Sequence, residues 1–193
     1  MTPVWFWPAL AVLAVVAATF FVLYGHLAVR APAAATRLYR RHFADRRQER
    51  LFLAAVGFFI TFVLVRALTH AIRAGIGPFR DVARGELHIH HLVWGILLLL
   101  AVGLCWLAQL GTGENGASRK FSQLTAILYG LAAALTLDEF ALWLRLQDVY
   151  WTREGRESVE AVLLFGGLLA VLGGGARFFR ALVHESLALL TRR

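Results

Sequence analysis

The chain has 193 residues, 59% of them hydrophobic and only 17% charged, with a mean hydropathy of +0.64. A soluble domain is about half apolar and about a quarter charged, so this composition excludes an ordinary soluble globule and, more firmly, a disordered chain. Twenty basic against twelve acidic residues give a net charge of +8, which in an apolar chain is first a topology signal. The single cysteine, Cys105, lies in an apolar run, which rules out a disulfide framework and a thiolate metal cluster.

A helix crossing the ~30 Å hydrocarbon layer needs about 20 mostly apolar residues. Five segments meet that requirement: about Val4–Val29, Leu51–Ile72, Leu92–Leu110, Phe121–Leu146 and Val159–Ala176. The predicted fold is therefore all-α, a polytopic membrane bundle of five spans over residues 1–176. An amphipathic interfacial helix over 177–193 completes it. The first span follows Met1-Thr2-Pro3 with no basic residue before it and is too long for a signal sequence, so it is expected to be retained.

Thirteen of the twenty basic residues fall after the first span, after the third and in the tail, among them Arg37, Arg40, Arg41, Arg46, Arg47, Arg177 and Arg180. The positive-inside rule makes that side cytoplasmic, with the N-terminus outside and the C-terminus inside. Thr36–Arg50 and Arg177–Arg193 both have an amphipathic character; in the second, Phe178, Phe179, Leu182, Val183, Leu187 and Leu190 oppose Arg177, Arg180 and His184. Such arginines suit the phosphates of anionic lipid in the cytoplasmic leaflet. No nucleic-acid-binding pattern accompanies them.

The third span is preceded by Gly85-Glu86-Leu87-His88-Ile89-His90-His91. His88 and His91 share a face if this stretch is helical, and His88 and His90 do if it is extended; either supplies two imidazoles to one point, as metal ligation needs. A plain interfacial histidine cluster is the simpler alternative. Asp138 and Glu139 lie inside the fourth span, where unpartnered charge costs about 2.5–3.5 kcal/mol at mid-membrane. They mark a site, or they pair structurally with Arg66 or Arg145. His70 lies one turn beyond Arg66 on the second span. Asp148 and Arg156 belong to the loop before the fifth span. Four of the seven histidines and eight of the twelve acids are thus expected on the outer side.

Stripes of small residues suggest how the bundle closes. Gly130, Ala134 and Asp138 recur every four residues on the fourth span, and Gly166, Ala170 and Gly174 on the fifth. Packed together, they would bring Asp138 toward the fifth helix between Val162 and Gly166. The Gly111–Gly116 stretch lacks the spacing of a phosphate loop and reads as a turn.

His88-Ile-His-His-Leu-Val-Trp-Gly95, Leu137-Asp-Glu-Phe-Ala-Leu-Trp-Leu144, Asp148-Val-Tyr-Trp151 and Gly155-Arg-Glu-Ser-Val159 resemble a family of small, mostly actinobacterial integral membrane proteins of unassigned function. The resemblance covers the last two thirds of the chain. It implies that these residues belong to one signature and brings no activity with it. Membrane fatty-acid hydroxylases and desaturases, by contrast, carry several histidine boxes on the cytoplasmic side, and this chain has one, predicted outside.

The expectation is an extracytoplasmic His/carboxylate site binding a divalent metal, zinc or iron. His88, His90, His91, Asp138 and Glu139 are its candidate ligands and His70 a further one. Asp138 or Glu139 would serve as general base in metal-dependent chemistry on a lipid or envelope substrate. Arg66, Asp148 and Arg156 are candidate supporting residues. A proton- or ion-coupled transporter using Asp138, Glu139 and Arg66 is the alternative, and a non-catalytic membrane subunit another.

Overall fold

The computed structural model describes residues 15, 19, 22–76, 78, 83–84, 87–88, 90–146 and 156–191. Most of the first expected span and the whole of the 147–155 loop, with Asp148, lie outside the described residues. The fold is all-α. Residues 22–30 are helical (α1), followed by α2 (Pro32–His42), α3 (Arg46–Arg73), α4 (His91–Leu107), α5 (Gly116–Asp138), α6 (Phe140–Arg145), α7 (Arg156–Leu172) and α8 (Gly175–Thr191). Between α3 and α4, β1 (Ala83–Arg84) and β2 (Leu87–His88) form a two-residue antiparallel pairing, Ala83 opposite His88.

Among the described residues, two helices are long and apolar enough to cross a membrane: α3 with 28 residues and α5 with 23. At 1.5 Å per residue they extend about 42 and about 35 Å, against a hydrocarbon layer of ~30 Å. The equally apolar α4 stops at 17 residues. In place of the expected 121–146 helix, the chain breaks at Glu139 and restarts as α6. The continuous amphipathic stretch expected over 36–50 is also interrupted, because Phe43 ends α2. Asp45 then starts α3, its Oδ1 accepting from the Arg47 amide at 2.8 Å and its carbonyl from Glu49.

The chain divides into two compact units, Met1–Phe52 with Leu168–Arg193, and Leu53–Gly167. The core of the first is aromatic. Phe43 stacks on Phe52 at 4.5 Å between centroids and meets Phe178 and Tyr39, each at 5.0 Å. The Tyr39 hydroxyl donates to Oε1 of the buried Glu49 at 2.9 Å, so this carboxylate enters the core with a partner. On α8 the buried stripe is Phe178, Leu182 and Ser186, one every fourth residue. It leaves Leu187 exposed.

In the second unit, close approach is made at glycine. A Cβ on Gly130 of α5 would run into the Ala54 carbonyl oxygen of α3, and one on Gly57 of α3 would stand 2.7 Å from the Ile127 carbonyl oxygen of α5. Gly166 of α7 likewise meets α3, where a Cβ would stand 2.7 Å from the Phe59 ring. The two small-residue stripes at Gly130 and Gly166 therefore both pack on α3, not on each other as expected. The Phe58 and Phe59 rings of α3 fill the space that Gly166 leaves, while at Gly130 the α3 backbone itself comes close. On the other side of α5, Gly95 of α4 sits against Thr136 and the Ala132 carbonyl, and the Trp106 indole N–H donates to Thr125 Oγ1 at 3.1 Å. Asn115 caps α5, its Oδ1 accepting from the Ser118 amide.

Candidate functional site

The polar residues of the second unit collect where α3 and α5 end and α4 begins. Asp138, the last residue of α5, is 0% exposed. Its Oδ1 accepts from Arg66 Nε at 2.5 Å and its Oδ2 from His91 Nε2 at 3.1 Å. Arg66 Nη2 also donates to the Asp138 main-chain carbonyl at 3.3 Å, so one guanidinium holds both the side chain and the backbone of the α5 terminus. The guanidinium carbon stands 5.5 Å from the Phe62 ring centroid, one turn back on α3.

Glu139, in the break between α5 and α6, is 6% exposed. Its Oε1 accepts from His90 Nδ1 at 2.8 Å and its Oε2 from the Leu92 amide at 3.0 Å. Leu92 is the second residue of α4, and the N-cap His90 offers no side-chain cap. The carboxylate therefore satisfies an open amide at the positive end of a neighbouring helix. All four oxygens of the two acids are engaged, each by a group from another element. His91 stands between the acids, with Nε2 on Asp138 and Nδ1 3.6 Å from Glu139 Oε1.

Continuous helical spacing would set Asp138 and Glu139 about 100° apart with little prospect of serving one centre. The break at Glu139, whose φ is −109° and ψ 26°, alters that relation and lets both acids reach His91. The Ala141 amide opened by the restart donates to Ser158 Oγ of α7 at 2.8 Å, so α6, like α4, has an early amide satisfied from another helix. This buried serine contact joins α7 to the break. Outside it, Arg145 and Glu157 form an ion pair on the exposed side.

Of the residues singled out in the sequence, Arg66, His90, His91, Asp138 and Glu139 stand in one hydrogen-bonded cluster. His70 turns back on its own helix, Nδ1 donating to the Arg66 carbonyl at 2.8 Å, with its ring exposed. The His88 backbone lies in β2 and Arg156 is the first residue of α7; their side chains, and Asp148 entirely, lie outside the described residues. Among the described residues no group of three or more His, Cys, Asp or Glu is arranged to hold a metal ion. Sequence reasoning missed Ser158 and the capping role of Glu139. The only available signal was a serine at the start of a span, which in lipid must find a partner.

His90 presents Nδ1–H to a carboxylate, which makes Nε2 its basic nitrogen; His91 presents Nε2–H, which makes Nδ1 basic. A proton added at His91 Nδ1 faces Glu139. Comparison with known protein families, with characterised proteins and with solved structures finds no match to this chain.

Proposed function

We propose that the protein is a five-span bacterial plasma-membrane protein, N-terminus outside and C-terminus cytoplasmic, whose His/carboxylate cluster is an extracytoplasmic acid–base site. The observation that carries this reading is His91 standing between two carboxylates, one ending α5 and the other in the break that follows. His91 accepts and returns a proton, Glu139 and Asp138 receive the charge, and Arg66 supplies the permanent countercharge. Membrane insertion is supported by α3 and α5 and by α4. On α4, Val93, Leu97, Leu100, Leu104 and Leu107 form one exposed apolar stripe that water would not tolerate and lipid would. Such a site serves either proton-coupled transport or acid–base chemistry on a lipid or envelope substrate.

The reading is tested by proton uptake of the purified protein in detergent on a pH drop through the histidine range, from about pH 8 to about pH 5. Wild type is expected to take up at least one proton more than His90→Gln/His91→Gln, His70 being common to both. Equal uptake by the two would overturn the assignment.

A second reading, a bound zinc or iron ion, is favoured by one feature. A carboxylate on Nδ1 is how metal-ligating imidazoles are commonly oriented, and Glu139 stands so to His90. In that reading His88 and His90 supply nitrogens, and Glu139 orients the His90 imidazole from behind. Elemental analysis after dialysis against zinc is expected to give one ion per chain, lost in His90→Ala. Zinc retained by His88→Ala/His90→Ala would refute it.

A further inference from the structure

Away from the His/carboxylate cluster, the first unit contains a cavity of about 700 Å³ between α2 and α8. Its α2 wall carries Arg37, Arg40 and Arg41, which helical spacing places on one face, and His42 closes it. The α8 wall carries His184 and Glu185. The walls are fixed to each other by Phe178, whose ring meets Tyr39 edge-on at 6.3 Å and His42 at 5.7 Å. The His42 Nδ1–H donates to the Leu38 carbonyl at 2.9 Å, which holds the ring at the cavity margin. Among the described residues, Arg37, Arg40 and Arg41 make no side-chain hydrogen bond or ion pair, and a single carboxylate lines the cavity beside them.

We propose that this cavity is a binding site for the phosphate headgroup of an anionic phospholipid. Three guanidinium groups on one wall of a concave site match the forked hydrogen-bonding geometry of phosphate oxygens. A cavity of this volume accommodates a headgroup. Connectivity favours a lipid over a soluble phosphate ester. Three residues, Phe43–Asp45, separate α2 from α3, so the cavity wall is tied directly to the foot of a helix long enough to cross the bilayer. Headgroups of the cytoplasmic leaflet lie at that level. Leu38, Ala34 and Ala181 give the cavity an apolar floor for the glycerol backbone.

The inference rests on the chain being membrane-embedded and is independent of the proton chemistry assigned to His91. Release of the protein from membranes by alkaline carbonate without detergent would sink the membrane premise before any lipid is added, so the two failures are separable. The probe is dioleoylphosphatidylglycerol, titrated into the full chain in a neutral detergent and read as a one-to-one adduct by native mass spectrometry. Arg37→Gln/Arg41→Gln is expected to weaken binding about thirtyfold, two guanidinium contacts being lost. His184→Glu is expected to weaken it from the opposite wall. Arg47→Gln/Arg50→Gln removes the same charge outside the cavity and is expected to leave affinity within about twofold. Equal weakening by the two arginine pairs would overturn the site in favour of diffuse charge. Glycerol 1-phosphate binding as tightly as the lipid would overturn the lipid assignment in favour of a soluble phosphate ester.

Discussion

Replacing Arg66 by Met removes the guanidinium from a carboxylate that has no contact with solvent. Asp138 then keeps the His91 bond on Oδ2 but loses its partner on Oδ1, and its main-chain carbonyl loses the Nη2 donor. Breaking a buried pair from one side costs about 3–5 kcal/mol. The lower figure applies here, because His91 remains and the Arg66 side chain is 12% exposed. For a chain of this size, about 3 kcal/mol corresponds to a Tm drop of roughly 6–12 °C. Asp138→Leu should cost about as much, since it leaves a guanidinium facing the Phe62 ring without its carboxylate. In the double variant no uncompensated charge remains, so its cost should fall at least about 2 kcal/mol short of the sum of the singles. Thermal unfolding in detergent, followed through the six tryptophans, measures all three. Costs that add to within about 0.5 kcal/mol would refute a direct energetic coupling between these residues.

Three further outcomes are expected. Gly130→Ala forces a Cβ into the Ala54 carbonyl, a backbone group that cannot swing aside; it should lower stability by about 1–3 kcal/mol in the same unfolding assay, whereas Gly103→Ala, into open space, should not. Ser158→Ala strands the buried Ala141 amide and should cost about 1–3 kcal/mol, with Ser158→Thr restoring most of it. In a Cys105→Ser background, a membrane-impermeant maleimide applied to intact cells should label Asp148→Cys and leave Thr112→Cys unlabelled until lysis; the reverse pattern would invert the topology.

The helical class was legible because an apolar run must satisfy its own backbone, and the residues of the cluster stood out because each is charged or titratable within or beside such a run. What periodicity could not reveal was the break at Glu139. Leu137–Leu144 has no proline or glycine to announce it; the interruption is held from outside, by Ser158 on Ala141 and by Arg66 on the Asp138 carbonyl. Partner choice among small-residue stripes was equally hidden. Gly130 and Gly166 fit any neighbouring helix, and α3 took both, its backbone at Ala54 meeting Gly130 and its Phe58 and Phe59 rings meeting Gly166. His70 shares the spacing of a cluster member, yet its ring bonds a carbonyl four residues back, a local bond that spacing alone does not distinguish from a distant one.

These local facts bear on why two acids stand side by side in an apolar helix. Glu139 completes the start of α4, a role that an amide could partly fill: Glu139→Gln keeps an oxygen for the Leu92 amide and loses only the charge seen by His90 and His91. Asp138 is different, because its charge balances Arg66 at full burial. The two carboxylates therefore divide the work, Asp138 anchoring the permanent cation and Glu139 facing the titratable ring. If the cluster were structural alone, Glu139→Gln and Asp138→Asn would differ in stability and nothing else. If His91 moves a proton between them, Glu139→Gln should abolish that proton's uptake while losing no more than about 1–2 kcal/mol of stability, because the helix cap survives. Uptake that persists in a stably folded Glu139→Gln protein would remove Glu139 from the acid–base site and leave it a helix cap.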